Sequence, residues 1–273
     1  MDAEKLLADA TGTIARRDAE LLLAAAAGIT RAQWLARAAE PVPSDVAARF
    51  AALAARRAAG EPVAYLLNRR EFWSLDFDVD ANVLVPRPET ELLVERTLAA
   101  VPAREARVAD LGTGSGIVAI ALAVEQPGWR IVGTDVSEAA LGVARRNGAR
   151  LAPGRIDWRQ GSWFAALGNE RFDAIASNPP YIAAGDPVLD GDGLRHEPRG
   201  ALTPEGDGFA ALATLINGAP GHLVPGGWLL LEHGNSQGPR VRAELVARGF
   251  GHVTSHRDLA GHERVTQAQW PPR

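Results

Sequence analysis

The chain has 273 residues, 47% of them hydrophobic and 23% charged, with a formal net charge of −4. That length accommodates one large compact unit and one small one, each able to bury a core. The acidic balance gives no overall basic footprint for nucleic-acid phosphates, and the absence of cysteine excludes a disulfide framework and a thiolate metal site.

The first 60 residues are rich in Ala, Leu and Arg. Apolar residues recur at helical spacing in "DAELLLAAAAGI" (Asp18 to Ile29) and in "SDVAARFAALAARRAAG", where Pro43 or Ser44 can start a helix and Gly60 can stop it. The apolar run Leu21 to Ile29 is too short for a bilayer, which needs about 20 residues. Asp18 and Glu20 break the apolar continuation that a twin-arginine signal at Arg16 and Arg17 would need. The reading is a buried helix within a small helical domain of a cytoplasmic protein, with no membrane segment.

"EFWSLDFDVDANVLVP" follows. Trp73, Leu75, Phe77 and Val79 alternate with Ser74, Asp76 and Asp78, which predicts a strand. A turn at Asp80 to Asn82 and a second apolar run, Val83 to Val85, predict a hairpin. The expected division is a helical domain over 1–70, a connecting β-hairpin over 71–85 and a catalytic domain over 86–273. "PRPETE", Pro86 to Glu91, reads as a helix start with Pro88 at the first position and acids in the first turn.

Beyond Pro86 short apolar strands alternate with helices: "RVADL", "RIVGTD", "RIDWRQ", "FDAIASN" and "GGWLLLEHG". Such alternation predicts an α/β fold with a parallel sheet covered on both faces, whose ligands sit outside the carboxyl ends of the strands. The final stretch, "GFGHVTSHRDLAGHERVTQAQW", predicts two more strands that close one edge antiparallel.

The first of these strands runs into "DLGTGSGIVAIALA". Glycine permits unusual φ values and a close ligand approach, and the helix that follows turns its free N–H groups to the same place. A dinucleotide fingerprint, G-x-G-x-x-G, needs glycine at 117, where the chain has Ile117. Gly112, Gly114 and Gly116 give the G-x-G-x-G spacing that resembles S-adenosylmethionine-dependent methyltransferases. Asp135 closes the second strand, about 20 residues on, where a carboxylate accepts hydrogen bonds from ribose hydroxyls. After the third strand, Trp163 offers an aromatic face beside the loop; core packing and adenine contact both suit it.

The fourth strand ends in "SNPPY", Ser177 to Tyr181. Two prolines end a hydrogen-bonded ladder and fix their own φ, so Asn178 and Tyr181 flank a rigid turn. The segment suits a planar nitrogen nucleophile. The Asn178 side-chain oxygen and the Pro179 carbonyl can accept its two hydrogens, and Tyr181 can stack on its plane. Methyl transfer from a sulfonium is an in-line displacement, so placement of the lone pair is the main task.

"NPPY", "DLGTGSG" and "VLVPRPETELLVE" together resemble the PrmC/HemK family, the protein-(glutamine-N5) methyltransferases of peptide chain release factors. The resemblance extends through "EPVAYLLNRREFWSLDFDV", "GTDVSEAALGVARRNG", "EPRGALTPEGDGF" and "DLAGHERV", which is nearly the whole chain. It implies a class I S-adenosylmethionine-dependent methyltransferase fold: a Rossmann-like, seven-stranded, mostly parallel sheet behind a small helical domain that helps dock the substrate. It implies S-adenosyl-L-methionine bound by Gly112, Thr113, Gly114, Ser115, Gly116, Asp135, Trp163 and Asn178. Asn178, Pro179, Pro180 and Tyr181 would meet the glutamine of the Gly-Gly-Gln motif of class I release factors, with Asn178, Pro179 and Tyr181 catalytic, in a reaction that tunes translation termination. Arg87 and Glu89, in the segment covering the site, are further candidates. "LNRREF" departs from the family in lacking a glycine before the hairpin.

Other readings are weaker. An amino methyltransferase of adenine or guanine fits the same motif, but it needs a basic groove, so no direct nucleic-acid binding is expected. Ile117 counts against a dehydrogenase, and an intact nitrogen cradle against a cofactor-binding scaffold without activity. "RHEP", Arg195 to Pro198, begins like H-E-x-x-H, but Gly200 stands where a zinc protease has histidine, and His252 and His256 lie in an extended segment, so no metal site is expected.

Overall fold

The computed structural model describes residues 2–37, 40–191 and 193–272. Five helices come first: α1 (Ala3–Thr11), α2 (Arg16–Ala26), α3 (Arg31–Ala36), α4 (Ser44–Ala58) and α5 (Val63–Leu67). Leu7, Leu22, Leu23, Trp34 and Phe50 form a core of their own among them. The apolar run of α2 is therefore interior, and no helix among the described residues is long and apolar enough to cross a membrane. Gly60, at φ 94°, ends the α4 segment in a backbone conformation that favours glycine.

The hairpin differs from the sequence expectation. Its strands are β1 (Arg69–Phe72) and β2 (Leu75–Asp78), paired antiparallel with Phe72 opposite Leu75. The turn is Trp73 and Ser74, at φ 54° and 56°, the positive values a two-residue hairpin loop of the primed type requires. Glycine or asparagine normally signals such a turn. Here tertiary bonds hold it instead: Trp73 N–H donates to Glu91 Oε1 at 2.9 Å and its indole N–H to Glu125 Oε1 at 2.8 Å. Asn68 takes the left-handed conformation at φ 52° just before β1.

Val83–Val85 is not a strand. It belongs to a strap whose Val79, Val83 and Val85 pack on Ala140 and Val143. Side chains satisfy its backbone: Tyr65 OH donates to the Val83 carbonyl at 2.5 Å, and Val85 N–H donates to Glu197 Oε2 at 2.8 Å.

A seven-stranded sheet follows, made of β3 (Arg107–Leu111), β4 (Arg130–Asp135), β5 (Ile156–Gln160), β6 (Phe172–Ser177), β7 (Leu223–Glu232), β8 (Gly251–Arg257) and β9 (Glu263–Gln269). The order is β5-β4-β3-β6-β7-β9-β8, with β9 alone running against the other six. The chain winds outwards from β3 in one direction and from β6 in the other, so the carboxyl ends of β3, β4 and β6 frame a topological switch point.

Alternation within strands explains the two covering layers. Val108 of β3 and Leu230 of β7 join one core, with Leu93 of α6 (Glu91–Ala100) and Ile120 of α7 (Ile117–Glu125). Ala109, Leu111, Leu229 and Leu231 join the other, with Leu215 of α10 (Ala210–His222) and Leu245 of α11 (Gly238–Ala247). Of the remaining helices, α8 (Glu138–Leu151) packs on β4 and β5, and α9 (Arg199–Leu202) is one turn. Trp158 occupies space left by missing side chains: a Cβ on Gly133, Gly116 or Gly148 would come within 2.5, 3.0 or 3.0 Å of its indole.

Candidate active site

β3 delivers the glycine loop to the switch point and the neighbouring strand fastens it. Gly112 and Thr113 N–H both donate to the Thr134 carbonyl, at 2.9 and 2.8 Å. Gly112, Gly114 and Gly116 have φ of 74°, 56° and 86°. Gly112 has a second reason to be glycine, because an added Cβ would lie 3.3 Å from the Trp163 ring, which covers the loop. Beneath it, buried Asp110 accepts from Thr113 Oγ1 at 2.6 Å and from Ala119 N–H at 3.2 Å. Burial pushes the Asp110 carboxyl up to about 6, and the Thr113 and Ala119 bonds pull it back.

Asp135, at the end of β4, accepts from Gly114 N–H at 3.0 Å and from Ser137 N–H at 2.9 Å. Burial raises its pKa and these backbone donors oppose the rise. One carboxylate thus holds the glycine loop and the start of α8 in register.

These groups line a cavity of about 280 Å³ that includes Gly112, Thr113, Gly114, Ser115, Asp135, Trp163, Asn178 and Pro180. Gly116 is not in its wall: its α-carbon faces Ile120, Trp158 and Ala144, so it shapes the loop from beneath. The cavity fits a nucleoside cofactor. A Cβ on Gly114 would meet nothing within 4 Å, and buried Ser115 Oγ has no hydrogen-bond partner. A carboxylate and an indole share the same wall, suited to sugar hydroxyls and a flat base.

A second cavity, of about 530 Å³, opens on the helical side. Asn178, Pro179, Tyr181, Arg87, Glu89 and Glu232 line it, with Asp18 and Arg57 from the helical layer. Pro180 faces the first cavity rather than this one. Asn178 borders both and stands where they meet.

Asn178 is positioned from two sides. Ser177 Oγ donates to the Leu111 carbonyl at 2.6 Å, fixing the end of β6 against β3. Asn178 Nδ2 donates to Thr90 Oγ1 at 3.1 Å, which leaves its Oδ1 as the acceptor for a ligand. Tyr181 OH donates to Glu232 Oε1 at 3.2 Å, and its carbonyl accepts from Gln237 Nε2 at 3.1 Å. Glu232, at the end of β7, is 1% exposed, and its Oε2 has no partner. Burial pushes the Glu232 carboxyl up to about 7, against the nearby Thr90 hydroxyl and the Tyr181 hydrogen bond. Burial likewise raises the Tyr181 phenol, which stays protonated and a donor.

Pro88 begins a 3-10 turn over Pro88–Thr90 that leads into α6, as its sequence suggests. Glu197 pairs with Arg87 and binds Val85 N–H, tying the strap to the loop before α9. Thr90 and Glu197 have no role in the sequence reading, although both lie inside quoted motifs; only the fold brings them to Asn178 and Arg87. His252 and His256 lie in β8, and no cluster of three metal-ligating side chains occurs among the described residues.

The reversed β9 in a parallel sheet, the glycine turn over β3 and the acid closing β4 define a class I S-adenosylmethionine-dependent methyltransferase fold. Comparison with known proteins agrees. Residues 1–67 match the PrmC N-terminal domain family and residues 88–207 the methyltransferase small domain family. The chain is 48% identical over 267 residues to the release factor glutamine methyltransferase of Xylella fastidiosa strain Temecula1, covering 97% of each chain. It is 49% identical over 261 residues to the protein of that name from Burkholderia pseudomallei strain K96243, covering 93% of this chain and 92% of the relative. A crystal structure of a methyltransferase from Pyrococcus furiosus shares the fold, with a TM-score of 0.56, 19% identity, and coverage of 80% of this chain and 98% of that one. The chain belongs to the release factor glutamine methyltransferase family and is a methyltransferase.

Proposed function

We propose that this enzyme transfers a methyl group from S-adenosyl-L-methionine to the side-chain amide nitrogen of the glutamine in the Gly-Gly-Gln motif of class I release factors, and so tunes translation termination. The observation that carries this reading is the meeting of two cavities at Asn178, one suited to a nucleoside and one opening toward the helical layer.

S-adenosylmethionine would supply a methyl group on a sulfonium. Asp135 would hold the ribose hydroxyls, Ser115 would offer its unpartnered hydroxyl, and Trp163 would flank the base beside Gly112, Thr113 and Gly114. Across the junction, Asn178 Oδ1 and the Pro179 carbonyl accept the two amide hydrogens of the glutamine, while Tyr181 lies along its plane. A carboxamide nitrogen is a weak nucleophile because its lone pair is shared with the carbonyl. Two acceptors on its hydrogens hold the lone pair in line with the methyl carbon and favour the positive charge that develops on nitrogen. Bound there, the donor would supply a methyl carbon and a thioether leaving group that keeps the electron pair of the broken S–C bond, and the methylated nitrogen would give up one hydrogen as a proton. The site residues bind and orient; no covalent enzyme intermediate enters this scheme.

The helical residues 1–70 dock the release factor, the segment 71–85 connects, and residues 86–273 hold the chemistry. Asp18 and Arg57 support this division because they place helical side chains on the substrate cavity. The protein acts in the cytoplasm on a protein, without direct contact to nucleic acid.

The test is to incubate the enzyme with labelled S-adenosylmethionine and a class I release factor, beside a release factor whose Gly-Gly-Gln glutamine is replaced. Label is expected in the first and absent from the second. Label in both, or transfer to DNA or ribosomal RNA while the release factor stays unmodified, would overturn the reading.

A further inference from the structure

Arg87 is the one basic side chain on the wall of the cofactor cavity among the described residues, and it lines the substrate cavity as well. A buried acid holds it. The Glu197 side chain is 1% exposed; its Oε1 accepts from Arg87 Nη2 and its Oε2 from Val85 N–H at 2.8 Å. Both carboxylate oxygens are thereby used within the strap. A guanidinium carries five N–H donors in a planar fork. The bond to Glu197 is the single side-chain hydrogen bond of Arg87 within the described residues, and the side chain is 35% exposed. The donors on Nε and Nη1 therefore remain for a ligand.

The shape of a sulfonium indicates which ligand group comes there. Three carbon arms leave its sulfur. The adenosyl arm would run toward Asp135 and Trp163, and the methyl group has to point through the junction at Asn178 into the substrate cavity. That leaves the third arm, an aminobutyrate tail ending in a carboxylate, to the strap side of the wall at Leu84, Pro86, Arg87 and Thr90.

Other donors on this wall are already engaged. The amides of Gly112 and Thr113 donate to the Thr134 carbonyl and that of Gly114 to Asp135, while Asp110 occupies the start of α7 by accepting from Ala119 N–H. Asp110 and Asp135 also place two carboxyl groups on the cavity, so a further carboxylate needs a cation beside it.

We propose that Arg87 binds the carboxylate at the end of the methionine tail of S-adenosylmethionine, and that Glu197 is the positioning residue that holds its guanidinium to the cavity. This deepens the function proposed above and rests on its choice of cofactor. The Arg87–Glu197 pair is neutral, and so is a tail that carries one ammonium and one carboxylate. Uptake of the tail thus adds no net charge to a partly buried site. The planar fork matches a carboxylate in a way that an ammonium does not, so lysine is a poor replacement.

The test is calorimetric titration with two ligands that share the nucleoside and differ in the tail. S-adenosylhomocysteine carries the whole tail; in methylthioadenosine a methyl group replaces it. Arg87→Met, which keeps the apolar stem, should weaken S-adenosylhomocysteine about 10- to 100-fold and leave methylthioadenosine within about twofold, as loss of a charged hydrogen bond confined to the tail does. Arg87→Lys, the second variant should the first not fold, should recover only part of the affinity for S-adenosylhomocysteine. Glu197→Gln should show a smaller loss, again for the ligand with the tail alone. Equal losses for both ligands would overturn the inference. Wild-type affinity for S-adenosylhomocysteine in Arg87→Met and Arg87→Lys, with a raised KM for the release factor, would overturn it too and assign the guanidinium to the substrate. A wild-type protein that binds neither ligand would refute the cofactor on which both readings rest.

Discussion

Replacing Asp135 with alanine separates cofactor binding from catalysis, because this carboxylate belongs to the first cavity and not to the second. Its two backbone bonds, to Gly114 at 3.0 Å and Ser137 at 2.9 Å, orient it and leave lone pairs for two ribose hydroxyls. A hydrogen bond to a charged group contributes about 1.5 to 3 kcal/mol net. Water takes over part of the lost solvation in an emptied site, so we expect about 2 to 4 kcal/mol of lost affinity, or roughly 30- to 1000-fold in Kd. Asp135→Asn keeps an acceptor for Gly114 and loses the charge, so it should fall between wild type and alanine. The assay is calorimetric titration with S-adenosylmethionine, paired with kcat at saturating cofactor, which should change far less than Kd. Equal affinity in wild type and Asp135→Ala would refute the ribose role, and a collapse of kcat at saturation would show that Asp135 acts beyond binding.

Three further outcomes follow from the same geometry. Gly114→Ala should fold with a strain cost of about 1 kcal/mol from its φ of 56°, since its Cβ meets nothing within 4 Å, and should lose cofactor affinity because the methyl group enters the cavity wall; Gly116→Ala, with φ at 86° and Ile120 and Trp158 each 3.0 Å from the added atom, should lose more stability, and thermal unfolding beside titration separates the two. Asn178→Ala should lower kcat by about 100- to 1000-fold, as loss of one oriented polar group does, and a single-turnover rate near wild type would contradict its place at the junction. Burial pushes the Glu232 carboxyl up to about 7 from its ordinary 4.5, so the stability present below about 4.5 is lost as the pH rises from there through 7. Glu232→Gln should therefore raise unfolding free energy by about 2 kcal/mol more at pH 8 than at pH 5, and urea titrations showing the same gain at both would refute the burial effect.

The strands from Arg107 onward are legible in the sequence because each is a short apolar run closed by a polar or glycine turn, with helical spacing between. The glycine loop and Asn178 are legible for a related reason: each is a contiguous motif whose residue types match one chemical need. The hairpin is not legible in that way. The apolar alternation of Trp73, Leu75, Phe77 and Val79 continues across a real turn, and the turn at Trp73 and Ser74 carries no glycine to mark it. Its support comes from Glu91 and Glu125, bonds that no local pattern encodes.

The supporting half of the site is hidden for the same physical reason. Asn178 meets Thr90 across 88 residues, Arg87 meets Glu197 across 110, and Tyr181 meets Glu232 across 51. Each partner is an ordinary residue in its own segment, and its role arises only when the sheet order places β7 beside β6 and the strap above both. Glu232 leaves one local trace. It extends the run Leu229, Leu230 and Leu231, buried on both faces of the sheet, where a solvated acid has no place. An acid that prolongs a doubly buried strand is either paired within the core or held at a site where its charge is used. Glu232 bonds to Tyr181 through one oxygen and leaves the other without a partner, on the wall of the larger cavity rather than in a core ion pair.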